Sequence, residues 1–230
     1  MTTYTETFDD GPAGWCGWED NVRGPRKLEW APGTLTSRSP WWVDYNHAPP
    51  GAGYLNILYG SNTRGALDER TLDAGGRNSL IDGGFPTDYR GARVTLRLRG
   101  ELETRGSQLV FLGQGRCDGK TSGWLCSGRP FPVTEDWSEP SVTLDPDPAL
   151  WRCLGTRHGR GETYGECPLE RILGDVNLNI LLILFPLTVE PMGPVDGDPH
   201  RLRAGFDYPI WRSRLPEGYV VLDTLRIEFA

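Results

Sequence analysis

Residues able to do chemistry concentrate in one stretch, SPWWVDYNHAPPGAGYLNILY, from Ser39 to Tyr59. Trp41 and Trp42 lead into Asp44, Tyr45, Asn46 and His47, and Tyr54 follows a Pro-Pro turn. Flat aromatic surface beside converging polar groups is what a sugar requires, because a sugar has apolar C–H faces and a rim of hydroxyls. Extended backbone sends consecutive side chains to opposite sides, so one of Trp41 and Trp42 is expected in the core and the other in a groove or on the surface. His47 is the best candidate proton donor or acceptor, with Tyr45 as its partner. A Tyr–His pair beside an arginine can run β-elimination on a uronate, the base taking the α-proton and the cation stabilising the enolate. Arg64, Arg152 and Arg212 are the cations considered for that role. Trp151-Arg152 and Trp211-Arg212 repeat a Trp-Arg pairing that could stack on and grip a ligand. Against this stands the plainer expectation that these tryptophans fill the core and that His47 only hydrogen-bonds its own loop.

Other chemistries find little support. A glycosidase needs two carboxyl groups flanking one bond. The nearest pair, Glu101 and Glu103, reads as an exposed strand end. There is no G-x-S-x-G nucleophile elbow. His47, His158 and His200 share no metal-ligand spacing, and Cys153 with His158 makes at best a loop dyad. Five cysteines are an odd number and fit reduced thiols, with Cys117–Cys126 and Cys153–Cys167 as the local disulfides available.

The elements that must hold these residues are strands. The 230-residue chain carries Gly 30 and Pro 19, which punctuate many short elements. ARVTLRLRG alternates, with Val94, Leu96 and Leu98 on one face and Arg93, Thr95, Arg97 and Arg99 on the other, as a half-buried antiparallel strand does. YTETF, SQLVFLGQ, PSVTLD and YVVLDTLRIEF are further strands, and KLEWA with TLTSR form a hairpin around Pro32-Gly33. NLNILLILFPL becomes continuously apolar and predicts a central strand covered on both faces. Only PLERILGD looks helical. The stretches 60–78 and 189–203 are expected to be long loops. Together these predict an all-β fold, a two-sheet antiparallel β-sandwich of jelly-roll type with one or two short helices, spanning 1–230 as one domain.

FDDGPAGW, LTSRSPWW, DYRGARVTLRLRG, EDWSEPSVTLD and the terminal YVVLDTLRIEF resemble, in order and character, the jelly-roll carbohydrate-binding modules and laminin IV-type domains of the galactose-binding-like superfamily. The resemblance implies the jelly-roll fold and glycan binding. It also implies a structural calcium at the ends of the first and last strands, where Asp9, Asp10 and Asp223 would supply hard oxygen ligands.

The net charge of −7 argues against nucleic acid as partner, since phosphate binding needs concentrated Lys and Arg. The longest apolar run, 180–187, is too short to span a bilayer, so no membrane association is expected. MTTYTETFDDG has neither a basic nor an apolar leader segment. A cytoplasmic location follows, or an extracellular one if a leader was trimmed. The ligand-binding candidates are thus Trp41, Trp42, Asp44, Asn46, His47, Tyr54, Trp151, Arg152, Trp211 and Arg212. The alternatives are a polysaccharide lyase or glycoside hydrolase using His47 and Tyr45, and a structural or protein-interaction domain.

Overall fold

A computed structural model describes residues 2–47, 51–157, 159–198, 201–203, 205–207 and 211–230. Two antiparallel sheets pack face to face. The first runs in the order β11 (Ser141–Thr143), β8 (Arg93–Glu103), β14 (Glu217–Glu228), β5 (Thr34–Arg38) and β4 (Glu29–Ala31). Strand β1 (Thr3–Glu6) pairs with the last residues of β14, end to end with β5. The second sheet runs β12 (Arg152–Cys153), β10 (Lys120–Leu125), β9 (Gln108–Cys117), β13 (Asn179–Leu187), β7 (Tyr54–Asn62) and β6 (Val43–Asp44). A small hairpin of β2 (Gly17–Asp20) and β3 (Gly24–Arg26) stands apart from both.

Alternation decides what each face buries. Val94, Leu96 and Leu98 of β8 meet Leu109 and Phe111 of β9 and Leu182 and Leu184 of β13 between the sheets. The opposite face of β8 is solvated, with Arg97 paired to Asp223 at 2.5 Å and Trp137 lying under Arg97 and Arg99. Tyr59 of β7 ties the sheets with polar bonds. Its hydroxyl donates to the Val220 carbonyl at 2.5 Å and accepts from the Ser37 amide at 3.1 Å, both on the first sheet.

The second sheet is buried on both faces, as the apolar run in β13 predicts. Its outer face carries Leu55, Ile57, Val110, Leu112, Leu125, Ile183 and Phe185, which pack with Trp42 and Leu154 into a second apolar layer roofed by loops. Burying each large aliphatic side chain there contributes about 1.5–3 kcal/mol.

The β9–β10 turn forms at Asp118-Gly119, where both residues have positive φ (48° and 76°), the geometry of a two-residue hairpin loop. The stretch 60–78 differs from the expected loop. Its first residues extend β7, and Glu69–Gly75 form a helix, α1, because the Asp68 side chain accepts the Thr71 amide at 2.8 Å and caps it. Asn78 caps a second short helix, α2 (Ser79–Asp82), in the same way. The helix expected around PLERILGD is α3 (Leu169–Gly174), with Pro168 just outside it as N-cap.

The thiols expected from sequence to be reduced are not all so, and the bond that forms is neither of the two local pairs available. Cys117 bonds Cys167 across 50 residues. The Cys126 amide bonds the Phe111 carbonyl, which puts Cys126 six positions back along β9 from Cys117, at the far end of the hairpin. Cys16, Cys126 and Cys153 are free thiols.

Candidate functional site

Asp44 ends β6, whose two residues pair with Asn56 and Leu55 of β7. The Asn56 side-chain amide donates to the Trp42 carbonyl at 2.9 Å and fixes the turn into this strand. As the period of an extended chain requires, the adjacent indoles part. Trp41 enters the core between the sheets, its Nε1 donating to Ser37 Oγ at 2.9 Å, and Trp42 joins the outer apolar layer.

After Asp44 the chain makes a single 3-10 turn, 45–47. Asp44 Oδ1 templates it by accepting from the Asn46 amide at 3.0 Å and from Asn46 Nδ2 at 2.7 Å. The turn buries His47, which is 1% exposed, beside Asp44 at 2%. Gly51 is then required by close approach. A Cβ there would lie 2.8 Å from the His47 carbonyl and 3.0 Å from those of Leu154 and Thr156. The Gly53 amide donates to the His47 carbonyl and the Ala52 amide to the Leu154 carbonyl, so the turn and the segment beyond β12 are stitched together.

That segment delivers Arg157. Its Nε donates to His47 Nε2 at 3.3 Å, and its terminal nitrogen stands 4.0 Å from Asp44 Oδ2. Asp44 Oδ2 is 3.6 Å from His47 Nε2, and the guanidinium lies over the Tyr164 ring at 4.4 Å. A carboxylate, an imidazole and a guanidinium thus form one largely buried cluster, with Arg157 as its cation.

The cluster closes one side of a cavity of about 70 Å³ above the outer face of the second sheet. The floor is Leu55, Ile57, Leu112 and Leu181, with the side chains of Gln114 and Asn179 next to each other on β9 and β13. Trp42 and Leu154, with Trp18 and Asn21 of the β2–β3 hairpin, complete the lining. Trp18 Nε1 and Asn179 Oδ1 are buried and have no hydrogen-bond partner among the described residues.

The candidates read from sequence therefore separate. Trp42, Asp44 and His47 line the cavity. Asn46 is fully buried behind it and serves the Asp44 turn. Tyr45 does not line the cavity. It stacks on Trp211 at 5.8 Å and packs against Tyr54 at 5.4 Å, a separate, half-buried aromatic stack. Burial, together with Tyr45 alongside, raises the Tyr54 phenol above its ordinary range. Trp151 is a core residue whose Nε1 donates to the Asp145 carbonyl. Arg152 is exposed, 5.8 Å above the Phe185 ring. Arg212 holds its own loop through the Met192 carbonyl, and Arg64 pairs with Asp175. None of the three arginines considered from sequence is placed at His47, because Arg157 occupies that position. Trp18, Gln114, Asn179 and Arg157 were not anticipated. The local sequence does not single them out, and only the pairing of distant strands gathers them.

The calcium ligands expected at Asp9, Asp10 and Asp223 do not converge. Asp223 is neutralised by Arg97 and accepts from Thr224 Oγ1, and Asp9 accepts from Thr7 Oγ1. No group of three or more His, Cys, Asp or Glu side chains suited to a metal occurs among the described residues. His158 and His200 lie outside the described residues. No described helix is long and apolar enough to cross a membrane.

No family model matches the chain, and neither does any curated protein or any solved structure. What the site can do is therefore set by its own geometry.

Proposed function

We propose that this protein is a carbohydrate-binding β-sandwich whose ligand enters the cavity lined by Trp18 and Trp42. The observation that supports it most is the joint lining: two indoles, two side-chain amides and the Asp44–His47–Arg157 cluster around one small cavity. An indole covers the C–H face of a sugar, and the polar groups answer its hydroxyls. The binding residues are Trp18, Trp42, Asp44, His47, Gln114, Arg157 and Asn179. The test is a glycan array followed by titration calorimetry, on wild type and Trp18→Ala. Trp18 stands on a small hairpin outside both sheets, and in the folded variant, checked by circular dichroism, affinity falls about tenfold or more if the indole is a platform. A glycan hit unaffected by Trp18→Ala, or silence across the array, rejects this assignment.

A second reading is a carbohydrate-active enzyme on the same scaffold, favoured by the convergence of Asp44, His47 and Arg157. In the present geometry an Arg157 N–H occupies the His47 Nε2 lone pair that a base would use. The same array read for product, and lost in His47→Ala, distinguishes turnover from binding.

A further inference from the structure

We infer that the cavity takes the end of a neutral sugar through its hydroxyls and discriminates against uronic acids. The inference rests on the glycan-binding proposal and narrows its ligand class.

The first ground is the kind of hydrogen bond the lining lacks. Trp18 Nε1 is a donor only, and Asn179 Oδ1 is an acceptor only. Both belong to cavity-lining residues, and both are without a partner among the described residues. A donor and an acceptor at a buried site each need a partner, from water or from a ligand, so a ligand group that satisfies both replaces that water better than one that satisfies either. A carboxylate has no proton to give Asn179 Oδ1, and an ammonium has no lone pair for the Trp18 N–H. A hydroxyl accepts from one and donates to the other. The Gln114 amide, cross-strand neighbour of Asn179, adds another donor and acceptor of the same neutral kind.

The second ground is charge. The ionisable residues lining the cavity are Asp44, His47 and Arg157. Arg157 is already committed, its Nε to His47 at 3.3 Å and its terminal nitrogen facing Asp44 at 4.0 Å. An anionic sugar would have to share that guanidinium with the Asp44 carboxylate, and two carboxylates in one buried site repel. A neutral hydroxyl meets no such opposition.

The third ground is size. About 70 Å³ of water-accessible space holds about five water molecules at roughly 10–15 Å³ of such space each, less than a whole pyranose with its hydroxyls needs. Only an edge of a pyranose enters, and we take it to be the C5–C6 edge, where a neutral sugar carries a hydroxymethyl group and a uronic acid a carboxylate. The rest of the ring remains at the mouth, against indole.

The test is calorimetric titration of methyl glucoside and methyl galactoside against glucuronic and galacturonic acids, on wild type and on Asp44→Asn. The expected result is a neutral sugar preferred over its uronic acid by about tenfold or more. Asp44→Asn keeps the shape and an acceptor oxygen but releases Arg157, and should narrow or invert that preference. Because wild-type selectivity is measured by itself, the result stands even if the variant does not fold. A uronic acid bound as tightly as its neutral counterpart overturns the inference while leaving glycan binding intact. Binding of neither class on calorimetry or on the array removes the underlying proposal as well.

Discussion

Replacing Arg157 with methionine keeps much of the side chain's apolar length and removes its charge. The guanidinium faces the Asp44 carboxylate at 4.0 Å, with Asp44 2% exposed. At an effective dielectric of about 20 that separation is worth about 4 kcal/mol of attraction. The variant also escapes the cost of burying the guanidinium, and Asp44 keeps both bonds from Asn46 at 3.0 and 2.7 Å. The net loss should therefore be about 2 kcal/mol, below the usual figure for breaking a buried pair. In a chain of this length that lowers Tm by about 4–8 °C. Urea unfolding of wild type, Arg157→Met, Asp44→Asn and the double variant makes a thermodynamic cycle. The coupling energy should be about 1–2 kcal/mol, the double variant being less damaged than the sum of the singles. A coupling near zero would mean that the two charges act independently, and the description of a single Asp44–His47–Arg157 unit would fail.

Tyr59→Phe should cost about 1–3 kcal/mol in the same unfolding assay, because it strands the Ser37 amide and the Val220 carbonyl between the sheets. A neutral result would mean that the sheets are held by apolar packing alone. Asp68→Ala should cost about 1 kcal/mol at neutral pH through loss of the α1 cap. The Thr71 amide holds the Asp68 pKa below its ordinary value, so the stabilisation is complete above the unfolded carboxylate pKa and disappears as pH falls through the folded one. Wild type and variant stability curves should accordingly converge in acid, and a constant gap would contradict the capping role. Burial pushes the Cys126 thiol up to about 11 and Cys16 up to about 12. At pH 8 iodoacetamide should therefore leave both unmodified in the native protein. Intact mass after denaturing alkylation without reductant should show three labelled thiols, Cys117 and Cys167 being joined.

The parts of this fold that were legible are those governed by local period. ARVTLRLRG reads as a half-solvated strand because its charges fall on every second residue, and β8 is that strand. The apolar run in β13 reads as central because no polar face interrupts it after Asn179. The short helices α1 and α2 were hidden because each is set by a single capping side chain, Asp68 or Asn78, and has too few turns to develop a period of its own. The site was half legible. Trp42, Asp44 and His47 stand together in sequence and in space, whereas Arg157 arrives 110 residues beyond His47 and Trp18 from a hairpin earlier in the chain. Disulfide partnering is equally non-local. Five cysteines allow many pairings, and only the hairpin register puts Cys117 and Cys126 at opposite ends.

The second sheet's two buried faces have a consequence for how the protein can change. In many sandwiches the loops are trim that can be swapped without disturbing the strands. Here Trp42, Leu154, Trp18 and Ala52 shield a sheet face that would otherwise present Leu55, Val110, Leu112, Ile183 and Phe185 to water. An exposed apolar patch of that kind favours association between molecules. Loop grafting over this face would therefore exchange a change of specificity for insolubility. On the proposed glycan-binding role, ligand preference is more accessible through single substitutions among Gln114, Arg157 and Asn179, which line the cavity without belonging to the apolar layer beneath it.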